Sequence, residues 1–245
     1  MFYHCAGTEG EEKLNKAKEL VQSVYKNPYM QDMLIALERR TSFLQDPIFS
    51  AAVDKHAVTQ ADKSIHWRVH VLLWAAKYAL NIPGDFVECG VFQGFSSIVM
   101  AECLDFSKID KQWYLYDTFE GIPADQDTSN ASKKGYQQKD LFESVTKRFQ
   151  AYPNIEVIQG RVPEILEEKS PKTIAFMHID MNSEVAEVAA LEKLFQRVSP
   201  RGVIMFDDYG WRAYIKQKLA EDEFFKQYQY QVLELPTGQG LVFKR

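Results

Sequence analysis

The sequence is poor in the features that mark secreted, zinc-binding or membrane-spanning proteins. Its three cysteines are Cys5, Cys89 and Cys103, and none has the C-x-x-C spacing of a zinc or redox site. Cysteines without a pairing pattern favour a reducing compartment. The N-terminus shows neither the basic nor the apolar segment of a signal peptide, and no apolar run reaches membrane-spanning length. These absences predict a cytoplasmic protein that does not enter a membrane.

The sequence also lacks a long basic block, an internal repeat and any low-complexity segment. Its net charge is −5, so nucleic acid is not the expected partner. The composition is ordinary for a globular enzyme: of the 245 residues, 46% are hydrophobic and 26% are charged. A chain of this length can bury one good core, in one domain or two.

One stretch organises the chain, and it reads Gly84-Asp85-Phe86-Val87-Glu88-Cys89-Gly90-Val91-Phe92-Gln93-Gly94-Phe95-Ser96-Ser97. The pattern predicts a buried strand, a glycine-containing turn and the start of a helix. Gly90 and Gly94 allow tight backbone geometry, and Ser96 and Ser97 are candidate helix caps. Such a unit directs backbone N–H groups over the sheet edge, which suits the polar tail of a nucleotide-like cofactor.

Glu88 and the glycine spacing narrow the choice of cofactor. The spacing is G-x-x-x-G without a G-x-G, which makes a pyrophosphate cradle less favoured than a site for a cationic group. A carboxylate just before the turn can pair with the amino group of an amino-acid-like cofactor. S-adenosylmethionine is such a cofactor and is the first hypothesis. The alternative is a plain strand–turn–helix in which Glu88 is solvated.

The first third of the chain has helical periodicity. The apolar spacing predicts helices over Glu11–Tyr25, Tyr29–Phe43 and Ala61–Leu80. We therefore predict an N-terminal helical cap or lid over residues 1–83, followed by a cofactor-binding domain over residues 84–245. The oligomeric state is open, and a homodimer through the N-terminal helices is one arrangement that fits.

After Gly84 the pattern changes to alternating strands and helices. The predicted strands are Phe86–Val91, Trp113–Tyr116, Ile155–Gln159, Ile174–Ile179 and Val203–Phe206, and the predicted helices are Ser96–Leu104, Leu141–Tyr152, Pro163–Glu168, Glu184–Arg197 and Arg212–Glu221. This order predicts an α/β fold with a parallel sheet and helices on both faces. Two further strands, Tyr228–Leu235 and Leu241–Lys244, are joined by a short turn and predict an antiparallel hairpin. Five parallel strands and a terminal hairpin outline the seven-stranded sheet of class I methyltransferases, which are Rossmann-like.

Ligands in open α/β sheets bind beyond the carboxyl ends of the strands. Asp117 follows the second strand, where its two oxygens could hold two ribose hydroxyls. Gly160 and Arg161 follow the third strand, where the backbone could meet an adenine edge. The long irregular segment Gly121–Lys139 predicts a mobile substrate or cofactor lid, with disorder as the alternative.

Three aspartates follow the fourth and fifth strands. Asp180 ends one apolar run, and Asp207 and Asp208 end the next. Adjacent strand ends would bring these like charges together, which favours an intervening cation. Carboxylate oxygens suit Mg²⁺, or Mn²⁺ as a second choice, and such a metal could orient a substrate hydroxyl. The alternative is that Asp180 caps a helix and the other two are solvated.

These motifs together resemble the macrocin O-methyltransferase (TylF-type) family of S-adenosylmethionine-dependent enzymes. The matching pieces cover most of residues 84–210: Gly84 to Gly94, then Tyr116-Asp117-Thr118-Phe119-Glu120-Gly121-Ile122-Pro123, His178-Ile179-Asp180-Met181-Asn182, and Ser199-Pro200-Arg201-Gly202-Val203-Ile204-Met205-Phe206-Asp207-Asp208-Tyr209-Gly210. The resemblance implies a class I methyltransferase fold, a divalent metal and O-methylation of a hydroxyl on a small-molecule acceptor, typically a sugar on a natural product.

The resemblance also implies roles for individual residues. Asp180, Asp207 and Asp208 would bind the metal, and Asp180 would be the general base. Glu88, Gly90 and Asp117 would hold the cofactor. The wider set of candidate cofactor contacts at the strand ends comprises Glu88, Gly90, Val91, Phe92, Gly94, Ser96, Ser97, Asp117, Thr118, Phe119, Gly160, Arg161 and Asp180.

One corner departs from the family pattern. The family usually reads D-x-D-L-Y after the fourth strand, whereas this chain reads Asp180-Met181-Asn182-Ser183-Glu184. Asn182 can still ligate through its carbonyl oxygen but cannot act as a base. The aromatic residue expected at Ser183 is missing, so the acceptor pocket is expected to differ and a deoxysugar acceptor is less favoured. Two other functions stay open: an NAD-dependent oxidoreductase or epimerase on a similar fold, and a non-catalytic cofactor-binding member.

Overall fold

A computed structural model describes residues 7–127 and 136–245. The chain divides into two compact units, Met1–His70 and Val71–Arg245. The predicted boundary between residues 83 and 84 stays a prediction about domain organisation. In the described ranges, no helix has both the length and the apolar character needed to cross a membrane.

The N-terminal unit is only partly helical. Its elements are α1 (Gly7–Val24), β1 (Tyr29–Gln31), β2 (Leu34–Ala36), α2 (Pro47–His56) and the first turn of α3 (His66–Ala79). Asp46 caps α2 by accepting hydrogen bonds from the N–H groups of Ile48 (2.9 Å) and Phe49 (3.2 Å), and Pro47 occupies the first helical position. The sequence pattern placed only an interruption at Asp46-Pro47.

The prediction of a helix over Tyr29–Phe43 is wrong. β1 and β2 form an antiparallel hairpin whose central residues, Asp32 and Met33, have φ angles of 51° and 59°. Two consecutive positive φ angles match the twist of a tight hairpin and interrupt a helix. The Asp32 carboxylate accepts hydrogen bonds from Nε (2.7 Å) and Nη2 (3.0 Å) of Arg68, so a buried ion pair fixes the turn.

The C-terminal unit is built around a seven-stranded sheet of order β5-β4-β3-β6-β7-β9-β8. Its strands are β3 (Asp85–Cys89), β4 (Trp113–Asp117), β5 (Ile155–Gln159), β6 (Ile174–Ile179), β7 (Val198–Phe206), β8 (Leu233–Glu234) and β9 (Gly240–Phe243). The helices that follow α3 are α4 (Phe95–Leu104), α5 (Leu141–Phe149), α6 (Glu164–Glu168), α7 (Glu184–Leu194) and α8 (Ile215–Lys226). β3 to β7 pair in parallel, and β9 pairs antiparallel with both β7 and β8. The predicted parallel sheet and terminal hairpin are confirmed.

The core explains why β3 and β6 are almost wholly apolar. Both are central strands covered on two faces, so consecutive residues are buried. On one face Phe86 packs against Trp113 and Phe176, with ring centroids 5.7 and 5.1 Å apart. On the other, the rings of Phe195 and Phe225 meet edge to face at 5.6 Å where α7 leads towards β7. The buried polar residues Glu88 and His178 are exceptions within these strands.

Candidate active site at the carboxyl edge of the sheet

The predicted site residues meet at one edge because the strands that precede them are parallel neighbours. Asp180 N donates to Cys89 O at 2.8 Å, and Asp207 N donates to Ile179 O at 3.0 Å. Gly90 N likewise donates to Tyr116 O at 2.8 Å. The first residues beyond β3, β6 and β7 therefore continue the sheet ladder and place Gly90, Asp180 and Asp207 side by side.

The turn after β3 depends on its glycines. Gly90 has φ of 89°, and a Cβ there would overlap the carbonyl oxygen of Asp180 and lie 2.5 Å from its carbonyl carbon. Gly94 has φ of 69° and occupies the N-cap position of α4, where a Cβ would lie 2.8 Å from Cε2 of Phe149. The prediction of tight glycine geometry is confirmed. The prediction that Ser96 and Ser97 cap the helix is wrong, since α4 begins at Phe95 and these serines lie within its first turn.

Asp117 fixes this turn from the end of β4. Its Oδ2 accepts hydrogen bonds from the N–H groups of Val91 (2.7 Å) and Phe92 (2.8 Å), and its Oδ1 accepts one from the N–H of Phe119 (2.7 Å). Phe92 and Phe119 have positive φ angles of 48° and 56°, so the carboxylate stabilises two strained positions. The ribose-binding role of Asp117 stays a prediction; its carboxylate is partly exposed at the edge.

A chain of buried polar groups runs beneath the edge across four strands. The Ser97 hydroxyl donates to Oε2 of Glu88, and Oε1 of Glu88 lies 3.1 Å from Nδ1 of His178. Nε2 of His178 lies 3.7 Å from Oδ1 of Asp207, a charge contact longer than a hydrogen bond. Gln239, just before β9, donates from Nε2 to the same Asp207 oxygen at 2.9 Å.

His178 is the cation of this buried chain. Burial alone lowers its pKa, but its contacts with Asp207 and Glu88 and their negative charges outweigh burial and raise the pKa to about 10. A protonated imidazole between two carboxylates offsets the cost of burying them. Sequence reasoning quoted His178 in a motif without giving it a role. The available signal was that Glu88 and His178 are each the second-last residue of a strand whose other buried residues are apolar.

The burial and the contacts of Glu88 limit its availability as a cofactor ligand. The residue is 3% exposed, and both of its carboxylate oxygens contact protein groups, Ser97 and His178. Its pairing with a cofactor amino group stays a prediction. The solvated Glu88 of the alternative interpretation is excluded by its burial.

A tyrosine stands over the edge beside two of the aspartates. Burial, the hydrogen-bonded neighbour Tyr214 and the negative charges of Asp180 and Asp208 raise the pKa of Tyr136. Its ring meets that of Phe92 edge to face, with centroids 5.3 Å apart. Sequence reasoning assigned no role to Tyr136, because it lies within the irregular segment Gly121–Lys139, which has no periodicity.

The three aspartates differ in their surroundings. Asp207 is 8% exposed and contacts Gln239 and His178. The negative charges of Asp180 and Asp208 instead raise the pKa of the Tyr136 hydroxyl. Within residues 7–127 and 136–245, no group of three His, Cys, Asp or Glu side chains is arranged to hold a metal ion. Three carboxylates suit Mg²⁺ chemically, but these side-chain positions do not form a three-carboxylate site. Binding of Mg²⁺ or Mn²⁺ stays a prediction.

The loops after β4 and β5 support each other. Thr118 Oγ1 donates to Gly121 O at 2.6 Å, and Gly160 N donates to Asp117 O at 2.9 Å. Arg161 forms a two-pronged contact with the Asp125 carboxylate, at 3.1 and 2.5 Å. The exposed Arg161 thus ties the start of the predicted lid to β5. The part of that lid that covers residues 128–135 lies outside the described residues.

A sequence model of the macrocin-O-methyltransferase (TylF) family matches residues 71–231. The 8-demethyl-8-(2,3-dimethoxy-alpha-L-rhamnosyl)-tetracenomycin-C 4'-O-methyltransferase of Streptomyces olivaceus is 28% identical over 142 residues, which cover 53% of this chain and 54% of the relative. The demethyldecarbamoylnovobiocin O-methyltransferase of Streptomyces niveus is 26% identical over 141 residues, with the same coverage of 53% and 54%. The chain spans about half the length of the curated relatives it matches.

Solved structures share the fold. The O-methyltransferase NovP superposes with a TM-score of 0.60 at 21% identity, over 72% of this chain and 79% of that chain. The calicheamicin methyltransferase CalS11 superposes with a TM-score of 0.60 at 14% identity, over 99% of this chain and 95% of that chain. The predicted class I methyltransferase fold is thereby confirmed.

Proposed function

Because this chain belongs to the macrocin-O-methyltransferase (TylF) family, we propose that it is an S-adenosylmethionine-dependent O-methyltransferase. The match over residues 71–231 carries the proposal, since it includes the β3 turn, Asp117 and all three aspartates of the edge. The acceptor we propose is a hydroxyl of a sugar or glycosylated natural product. Both curated relatives are named as O-methyltransferases, and one name specifies a rhamnosyl compound.

The residues around the β3 turn fit a cofactor of this kind. Glycine at 90 and 94 keeps side-chain atoms out of the turn, and Asp117 remains partly exposed beside it. We propose that this turn and the loops after β4 and β5 hold the cofactor, through the candidate contacts Glu88, Val91, Phe92, Ser96, Ser97, Thr118, Phe119, Gly160 and Arg161. When bound, S-adenosylmethionine supplies a methyl group already activated by its sulfonium.

Asp180 is the residue we propose as general base. The backbone contact between Gly90 and Asp180 places it beside the turn, at the end of β6. Its carboxylate would accept the proton of the acceptor hydroxyl as the methyl is transferred. Tyr136 and Phe92 would close the acceptor side against water, because their rings pack together over the same edge.

Divalent-metal dependence is a separate proposal. It rests on the three carboxylates and the family resemblance, while the proton transfer above is assigned to Asp180 alone. Activity would be measured after dialysis against EDTA and again after Mg²⁺ or Mn²⁺ is added. Activity that is lost and then restored supports the metal; activity unchanged by EDTA excludes it.

The cofactor class is tested by calorimetric titration of the whole chain with S-adenosylmethionine, in parallel with NAD. Micromolar binding of S-adenosylmethionine and methylation of a glycosylated acceptor are expected. Binding of NAD instead would overturn the proposal in favour of an oxidoreductase. Cofactor binding without methylation across a broad panel of hydroxylated acceptors would favour a non-catalytic member.

A further inference from the structure

A buried pair of carboxyl groups lies between α7 and α8. Glu187 is 2% exposed, Glu221 is 1% exposed, and the two side chains are hydrogen-bonded to each other. Burial raises the pKa of both, and the charge of Glu187 raises that of Glu221 well above its usual range. The hydrogen bond between the two groups favours the protonated form of Glu221, which donates to the Glu187 carboxylate. Apolar residues would pack two helices at a lower free-energy cost than a buried charge. We therefore expect this pair to do more than join α7 to α8.

Glu187 connects this pair to the segment that leaves β6. Its Oε1 accepts hydrogen bonds from the N–H of Met181 at 3.1 Å and from Nε2 of Gln217 at 2.6 Å. The N–H of Asn182 also donates to the carboxylate. Asn182 has φ of 54°, a left-handed conformation that costs free energy unless its surroundings hold it. Two successive N–H groups bound by one carboxylate supply that restraint.

The segment Asp180–Asn182 is thus held from two sides. On one side the Asp180 carbonyl packs against Gly90, where even a methyl group would overlap it. On the other side Glu187 binds the next two N–H groups. The oxygen of a base must lie within about 3 Å of the atom that carries the proton, and a misplacement of about 1 Å can cost about 100-fold in rate.

We propose that Glu187 is a positioning residue that fixes the backbone of Met181 and Asn182 and thereby aims the Asp180 carboxylate. The proposal rests on the methyl-transfer function proposed above. Glu187 is 2% exposed and is not among the residues proposed to contact cofactor or acceptor. Its removal should therefore lower kcat and leave cofactor binding nearly unchanged.

The test compares Glu187→Ala and Glu187→Gln with Glu192→Gln, a matched change at an exposed position of α7. We expect kcat to fall about 100-fold in Glu187→Ala and by less in Glu187→Gln, because the amide oxygen still accepts from Met181. The dissociation constant for S-adenosylmethionine should change by less than about threefold, and Glu192→Gln should match the wild type. If Glu187→Ala does not fold, Glu187→Gln carries the comparison.

Amide hydrogen exchange of the peptide around Met181 and Asn182 gives a readout independent of activity. It should be faster in the Glu187 variants and unchanged in Glu192→Gln. Wild-type kcat in folded Glu187 variants, or an equal loss of kcat and cofactor binding, would overturn the positioning role, as would unchanged exchange. If the wild-type chain transfers no methyl group while exchange is still faster in the Glu187 variants, the proposed function is overturned, and with it the role of Glu187 in aiming a base. The restraint of the Met181 and Asn182 backbone by Glu187 would still stand.

Discussion

Gly90→Ala offers the sharpest test of the site geometry. The alanine would have to adopt φ of 89°, and its Cβ would overlap the backbone of Asp180. The conformational strain is worth about 1–3 kcal/mol, and forcing two backbones apart adds about 1–3 kcal/mol more. The free energy of unfolding should therefore fall by about 2–6 kcal/mol, a large part of the ~5–15 kcal/mol typical of folded proteins.

Gly121→Ala is the matched control. Gly121 also has φ of 89°, but among the described residues the three atoms nearest to a Cβ there all belong to the Gln137 side chain, with Cγ at 2.9 Å. Gln137 is exposed and can move aside, so this variant carries the conformational strain without the overlap. Its free energy of unfolding should fall by about 1–3 kcal/mol.

Urea denaturation of the two variants and the wild type separates the conformational strain from the cost of the backbone overlap. The difference between the variants measures the contact between the β3 turn and Asp180. Methyl transfer should be lost in Gly90→Ala even where the protein stays folded, because either the turn or Asp180 must move. Equal stability of the two variants, with methyl transfer retained in Gly90→Ala, would refute the close approach of these backbones.

Three further outcomes are expected. Asp180→Asn should lower kcat by about 10²–10⁴-fold while the dissociation constant for S-adenosylmethionine, measured by calorimetry, stays nearly constant; a wild-type kcat would remove Asp180 as the base. Asp117→Ala leaves the N–H groups of Val91, Phe92 and Phe119 without their acceptor, so urea denaturation should show a loss of about 2–4 kcal/mol, against less than about 0.5 kcal/mol for the exposed control Asp110→Ala. The folded-state pKa of His178, raised to about 10, gives stability that is present in full below the unfolded pKa and is lost as pH rises towards 10. Unfolding free energies should thus fall by up to ~1.4 kcal/mol per pH unit from this group between pH 7 and 9, and a His178→Gln variant with the same slope as the wild type would contradict a charged imidazole.

The parallel part of the sheet could be predicted from sequence because its strands are short apolar runs bounded by glycine, proline or polar residues. Ile155–Gln159 and Ile174–Ile179 begin and end where the sequence pattern placed them. The hairpin at Tyr29–Ala36 could not be predicted in this way. Met33 adopts φ of 59° there, a conformation that the identity of a methionine does not signal, and the apolar spacing resembles that of a helix.

The candidate site was predictable only in outline. Parallel topology dictates that Gly90, Asp117, Asp180 and Asp207 share an edge, and they do. The directions of their side chains depend on partners from distant parts of the chain. Gln239 donates a hydrogen bond to the Asp207 carboxylate, and the sequence of the turn before β9 does not predict that contact. The role of Glu187 could not be predicted from sequence either, since an acidic residue in the first turn of a helix ordinarily faces solvent.

The polar chain from Ser97 to Gln239 has a consequence for assembly of the sheet. Its members come from elements far apart in sequence, and Glu88 meets His178 only when β3 and β6 pair in the observed register. A slip of one residue would turn one of the two to the opposite face and leave a buried charge without its counterion. Apolar strands alone tolerate several orders and registers. These few polar side chains therefore favour the native strand order and register, because only that arrangement gives each buried polar group its partner.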